Sequence, residues 1–224
     1  MTEHNDSYFR PSNPVNRKNA HTQTLSAMVG ILFGLMALSC TPAPETKPST
    51  EPSPPPSPVS AQTAFHRLYV QARSWSADAE PIRLSSFNLK EVPSQAGRCA
   101  VWQATFVSRQ KRKSRSYTFS VIKSGTSIRK GVRAGLSEGW SGRGQARPFI
   151  SQLFKIDSTK AYDKAVEKSS RFLKKNQGLP VHFLLESTPR FTHPVWRVIW
   201  GETRGSGKQT IFIDAATGLY LNTL

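Results

Sequence analysis

The chain has 224 residues, with 31 Lys and Arg against 14 Asp and Glu, a net charge of +17 and only two cysteines. Two cysteines cannot furnish a disulfide framework, and the five histidines (His4, His21, His66, His182 and His193) are too scattered to suggest a metal cluster. The charge is lopsided: from Thr63 onward 27 Lys and Arg stand against 10 Asp and Glu, so the whole excess lies in the part able to build a core.

Residues 1–24 are polar and include Arg10, Arg17 and Lys18. An uncharged run of fifteen residues, Leu25 to Ser39, follows and ends at Cys40. That run is shorter than the roughly 20 residues a spanning helix needs. A basic stretch, a short apolar segment and small residues at its end describe a secretory signal peptide over residues 1–39. The sequence Met36-Ala37-Leu38-Ser39-Cys40 resembles a lipobox, with Ala37 where a larger aliphatic residue is usual. Cys40 is therefore the expected lipidation site, and the protein is expected to be exported and lipid-anchored on a bacterial envelope membrane. A leader cleaved without lipidation and an uncleaved anchor helix are the competing readings.

Residues 40–62 read as a linker, because residues 41–62 hold eight prolines and almost nothing apolar. Proline fixes φ and removes a backbone donor, so this stretch is expected to be extended. With Cys40 lipidated, Cys99 has no partner in the chain, and it reads as a small buried hydrophobe in a strand.

Residues 63–156 and 157–224 are expected to form two similar halves. In the first, Ala64, Phe65, Leu68, Tyr69, Ala72 and Trp75 recur at helical spacing. Strands are expected near 82–90, 99–107 and 115–122. Residues 123–156 are less legible, with strands placed near 126–132 and 149–156. In the second half a helix carries Ala161, Tyr162, Ala165, Val166, Phe172 and Leu173. Asp157 or Ser158 stands ready to cap its start, and Gly178 to close it. Strands are expected near 181–187, 195–202, 209–214 and 219–222. The runs beginning at Val101-Trp102 and Val195-Trp196 match at an offset of 94 residues, and the two helical stripes match at 97, which suggests an internal repeat. The fold class expected is α+β, as two helix-on-antiparallel-sheet units.

The second half resembles the PepSY family. The residues that carry the resemblance are Asp157-Ser158, Ala161 and Ala165, Trp196-Arg197-Val198-Ile199-Trp200, and the closing run from Phe212 through Asp214-Ala215-Ala216-Thr217-Gly218 to Leu221. In the first half, Val121-Ile122-Lys123-Ser124-Gly125 stands in place of that closing turn. The resemblance implies a cystatin-like fold and a non-catalytic module that restrains or binds another envelope protein, with a peptidase among the partners. Asp214 is expected to accept turn N–H groups and Gly218 to take a positive φ.

No local pattern supports catalysis or a cofactor. There is no His-Glu-x-x-His run, and Gly205-Ser206-Gly207-Lys208 lacks phosphate-loop spacing and sits between two expected strands. Arg109, Lys111, Arg112, Lys113 and Arg115 crowd seven residues between two strands. They are the candidate contacts for a polyanion, against the alternative of a solvated hairpin tip that discourages edge pairing. For an exported protein the acidic partners would be anionic lipid, lipopolysaccharide, wall polymers or acidic proteins, ahead of nucleic acid. The reading is thus a non-catalytic envelope lipoprotein that binds another envelope protein, with anionic envelope polymers as the alternative ligand.

Overall fold

The computed structural model describes residues 54–191 and 193–224. The expected signal peptide, Cys40 and most of the proline-rich stretch lie outside them. Two helices and eight strands follow in the order α1 (Ala61–Trp75), β1 (Glu80–Phe87), β2 (Val101–Ser108), β3 (Lys113–Ser120), β4 (Gly131–Gly139), α2 (Ser158–Lys175), β5 (Val181–Glu186), β6 (Val195–Gly201), β7 (Gly207–Asp214) and β8 (Tyr220–Thr223). Among the described residues no helix is long and apolar enough to cross a membrane.

The helices begin where side chains can satisfy their free N–H groups. Ser60 caps α1, and Asp157 caps α2 by accepting from the Ser158 amide. The two starts also cap each other. The Ala61 amide donates to Ser158 Oγ at 2.9 Å and the Gln62 amide to Asp157 Oδ1 at 2.9 Å. One carboxylate and one hydroxyl of α2 therefore fix where both helices enter the core. Each helix buries its small and apolar stripe, Ala61, Ala64, Phe65, Leu68 and Ala72 on α1 and Ala161 and Ala165 on α2.

The two expected helix-on-sheet units are not what forms. All eight strands join one antiparallel sheet in the order β4-β3-β2-β1-β5-β6-β7-β8. Two separate units would leave β1 and β5 as open inner edges; instead they pair, with Leu84 opposite Leu185. The core is shared in the same way. Trp102 and Trp196 lie edge-on with ring centroids 6.4 Å apart, and both meet Phe183. Both indoles are fully buried. Trp102 Nε1 donates to the Val59 carbonyl at 3.0 Å and Trp196 Nε1 to the Ile156 carbonyl at 2.8 Å. Each N–H is thus satisfied by the residue just ahead of a helix cap, as a buried indole requires.

Chain reading placed most strands within a few residues, with two exceptions. The strand expected near 126–132 lies instead at Gly131–Gly139, as the sheet's outer strand β4, exposed along most of its length. The strand expected near 149–156 is a loop with one 3-10 turn at Ser151–Leu153. Phe149 and Phe154 on that loop are buried in the core, so its apolar residues serve packing without pairing. Gly97 takes φ +84° in the β1–β2 connection, where a Cβ would come 2.5 Å from the Ser158 carbonyl oxygen. Only glycine lets this loop lie against the first turn of α2.

Candidate partner-binding face

Side chains alternate across a strand, so the face opposite the helices is built from the residues between the core positions. One row of directly paired residues crosses the whole sheet there: Arg133, Thr118, Gln103, Ser85, Leu184, Arg197, Phe212 and Asn222. Toward one end of this face the β1–β2 and β3–β4 connections fold over it, and Val92, Ala100 and Val101 form a small second core with Phe87, Leu89 and Ile128.

Beside that cluster lies a hollow of about 300 Å³. Phe87, Val101 and Ile128 supply its apolar lining, Gln103 and Thr118 its polar groups, and Arg129 and Arg133 its charge. Gln103 Nε2 donates to Thr118 Oγ1 at 3.2 Å, which leaves the threonine hydroxyl proton free for a ligand. Neither arginine has a carboxylate within ion-pair distance among the described residues. A second hollow adjoins it through Phe87, over whose ring the Arg204 guanidinium sits 4.9 Å from the centroid. Burial, and secondarily the nearby charge of Arg83, lowers the Arg204 pKa. Arg83 itself is compensated. Glu186, almost wholly buried, accepts from Arg83 Nη2 at 3.2 Å and stands 2.7 Å from Arg197 Nη2.

Arg109, Lys111, Arg112, Lys113 and Arg115 fall on the β2–β3 hairpin, whose turn spans residues 109–112. Asp78 holds this turn in shape. Its carboxylate accepts from Ser76 Oγ, Ser108 Oγ and the Gln110 amide at 2.6–2.9 Å, and these bonds, the amide first, hold it far below the usual carboxylate range. The five cations do not act alike. Arg109 pairs with Glu80 at 2.8 Å and lies 5.9 Å from the Trp140 ring centre. Arg115 donates to the Gly135 carbonyl and lies over Tyr117. Lys111, Arg112 and Lys113 have no carboxylate partner among the described residues.

The few acids are largely engaged. Asp78, Glu80, Asp157, Glu167, Glu186 and Asp214 all serve turns, caps or ion pairs, and Glu91 accepts from Ser124. Glu138, Asp163 and Glu202 are the remainder. Of the cations, only Arg83, Arg109, Lys164, Lys168 and Arg197 meet a carboxylate among the described residues. Most of the positive field is therefore uncompensated and available to a partner.

Two groups with chemical capacity belong to the architecture. Asp214 Oδ1 accepts from the Ala216 and Thr217 amides at 2.8 and 2.9 Å, and Gly218 takes φ +78°, as the closing turn demands. Its Oδ2 also meets His193 Nδ1 at 2.9 Å, a contact across 21 residues that the sequence did not signal. Burial opposes the charge on Asp214, but hydrogen bonds from His193, Thr217 and Ala216 prevail and lower its pKa. Cys99 is fully buried, and desolvation pushes its thiol up to about 11, so it stays protonated and unreactive. Among the described residues no three of His, Cys, Asp and Glu gather.

No protein-family model matches the chain, and no curated protein matches it in sequence. Among solved structures it resembles a protein from Clostridium difficile 630 that is provisionally described as a lipoprotein. The identity is 12%, the TM-score 0.48, and the match covers 72% of this chain and 91% of the other. A likeness of that depth says nothing about what either protein binds.

Proposed function

We propose that this chain is a non-catalytic binding protein of a bacterial cell envelope, held to a membrane through lipid on Cys40. On this reading it takes an acidic protein partner on the helix-free face of its sheet. The observation that supports it is the hollow beside β4, which Arg129 and Arg133, without a carboxylate partner among the described residues, line together with Phe87, Val101 and Ile128. Guanidinium groups recognise carboxylates by paired hydrogen bonds, and the apolar lining adds affinity that salt does not screen. A peptidase is the partner class that the PepSY resemblance brings; the chemistry of the hollow asks only that the partner be acidic. Cross-linking in envelope membranes, followed by capture and mass spectrometry, tests this. One acidic protein is expected, retained at 1 M salt, where the Debye length is about 3 Å. Its loss in an Arg129→Gln/Arg133→Gln variant supports the face, and retention there removes it.

A second reading, an anionic envelope polymer as ligand, is favoured by Lys111, Arg112 and Lys113 at the hairpin tip. Lipopolysaccharide or wall-polymer binding that weakens steeply with salt and is lost on replacing these three by Gln would support it. Indifference to those substitutions counts against it.

A further inference from the structure

The strand next to the hollow is itself unfinished. β4 closes the sheet on one side, with a ladder to β3 and no strand beyond it among the described residues. It is nine residues long, contains no proline, and exposes Leu136 at 88%. The other margin is β8, of four residues. Natural sheets blunt their edges with short strands, prolines or inward-pointing charge, because an open edge recruits another strand. β4 has a bulge opposite Arg115–Tyr117 and carries two charges, Arg133 and Glu138, but it is neither short nor interrupted by proline.

Its charge surroundings restrict what can add there. Arg133 lies on β4 toward the hollow, with Arg129 and Lys130 just ahead of the strand. On the helix side Arg115, directly opposite Ser137, and Lys113, directly opposite Gly139, flank the same edge. The single acid on β4 is Glu138. A second copy of this edge would bring the same cations with it, whereas an acidic strand would neutralise them.

We infer that β4 accepts an extended acidic segment of another protein as a ninth strand. One side chain of that segment enters the hollow toward Arg129 and Arg133. The inference rests on the proposed acidic partner and specifies how it is held. Main-chain hydrogen bonds supply the affinity, and the arginines and the Thr118 hydroxyl set the preference for carboxylates.

The test uses the full chain and three ten-residue peptides. The first alternates Glu and Val, the second replaces Glu by Gln, and the third is the acidic peptide N-methylated at four consecutive central residues. N-methylation there removes donors on both strand edges while leaving the charge. The acidic peptide is expected to slow amide exchange within residues 132–138. Binding should weaken by about tenfold or more for the N-methylated peptide, as the two donors facing β4 are lost and the methyl groups crowd the edge. It should weaken by about three- to fivefold for the Gln peptide or for Arg133→Gln, the scale of a cross-strand charge pair. Equal binding of the N-methylated peptide, with β4 unprotected, would overturn strand addition and leave a purely electrostatic attraction. A dimer in sedimentation with β4 already protected in the free protein would also overturn it, by giving the edge to a second copy. Capture of an acidic partner that leaves β4 exchange unchanged sinks this inference alone. Failure to capture any acidic partner sinks the function on which it rests.

Discussion

Replacing Asp214 by Ala removes three contacts at once: two to the amides of the closing turn and one to His193. The carboxylate is 13% exposed, the Ala216 amide is half-buried, and the Thr217 amide opens to solvent. A buried donor left without its charged acceptor costs about 1–3 kcal/mol, while the exposed one is rescued by water and costs little. The sum is about 2 kcal/mol, or a melting temperature lower by about 4–8 °C for a fold of this size. Asp214→Asn keeps one acceptor oxygen and should lose roughly half of that. The pH dependence has a definite sign. The folded pKa of Asp214 is depressed, so its stabilisation is fully present above the unfolded carboxylate value of about 3.9 and is lost as pH falls through the folded value. Circular-dichroism melts of both variants should therefore differ from the parent at pH 7 and converge on it in stronger acid. An Asp214→Ala protein that melts like the parent at pH 7 but no longer binds its partner would refute the structural assignment, and would make Asp214 a functional carboxylate.

Gly97→Ala forces a Cβ against the backbone of Ser158 and Thr159 at a positive φ, and should cost about 2–4 kcal/mol in chemical denaturation. A smaller change than about 1 kcal/mol would mean that the loop shifts freely off α2. Glu186→Gln leaves Arg83 and Arg197 without their shared carboxylate, but both guanidiniums reach water, so the stability loss should stay near 1 kcal/mol. The same change adds positive charge to the open face, and affinity for the acidic peptide should rise; a fall would place the binding elsewhere. Cys40→Ala should abolish lipid labelling and partition into detergent, whereas membrane attachment with the leader intact would indicate an anchor helix.

The helices were legible because each carries its apolar stripe at a spacing of three and four, and the second also shows Asp157 or Ser158 as a cap; the Ser60 cap of the first emerges only in the structure. Strands such as Val101–Ser108 and Val195–Gly201 were legible from their bulky β-formers. What local pattern cannot carry is the choice of neighbour. Nothing within β1 or β5 announces that they pair with each other, so the expected two units became one sheet. β4 was misplaced because its exposed run, Gly131–Gly139, has three glycines, two charges and no buried alternation. The hollow gathers Phe87, Val101, Gln103, Thr118, Arg129 and Arg133 from four strands and a loop, and the His193–Asp214 contact spans 21 residues. The hairpin cations were found by their density alone, but not that Arg109 and Arg115 are held while Lys111, Arg112 and Lys113 have no carboxylate partner among the described residues.

Val59 exchanges two backbone hydrogen bonds with Cys99, two residues before β2 begins. Whatever holds the chain upstream of Pro54 therefore pulls on that end of the strand. The basic hairpin stands at the other end, eight residues on, or roughly 26 Å away at 3.3 Å per residue. A tether leading to Cys40 would make the molecule directional, like a brush mounted by its handle. The hairpin charges would stand at the end of the sheet away from the tether, whereas Lys123, Lys130 and Arg67 border the hollow beside Pro54–Ser57, at the end where the tether enters.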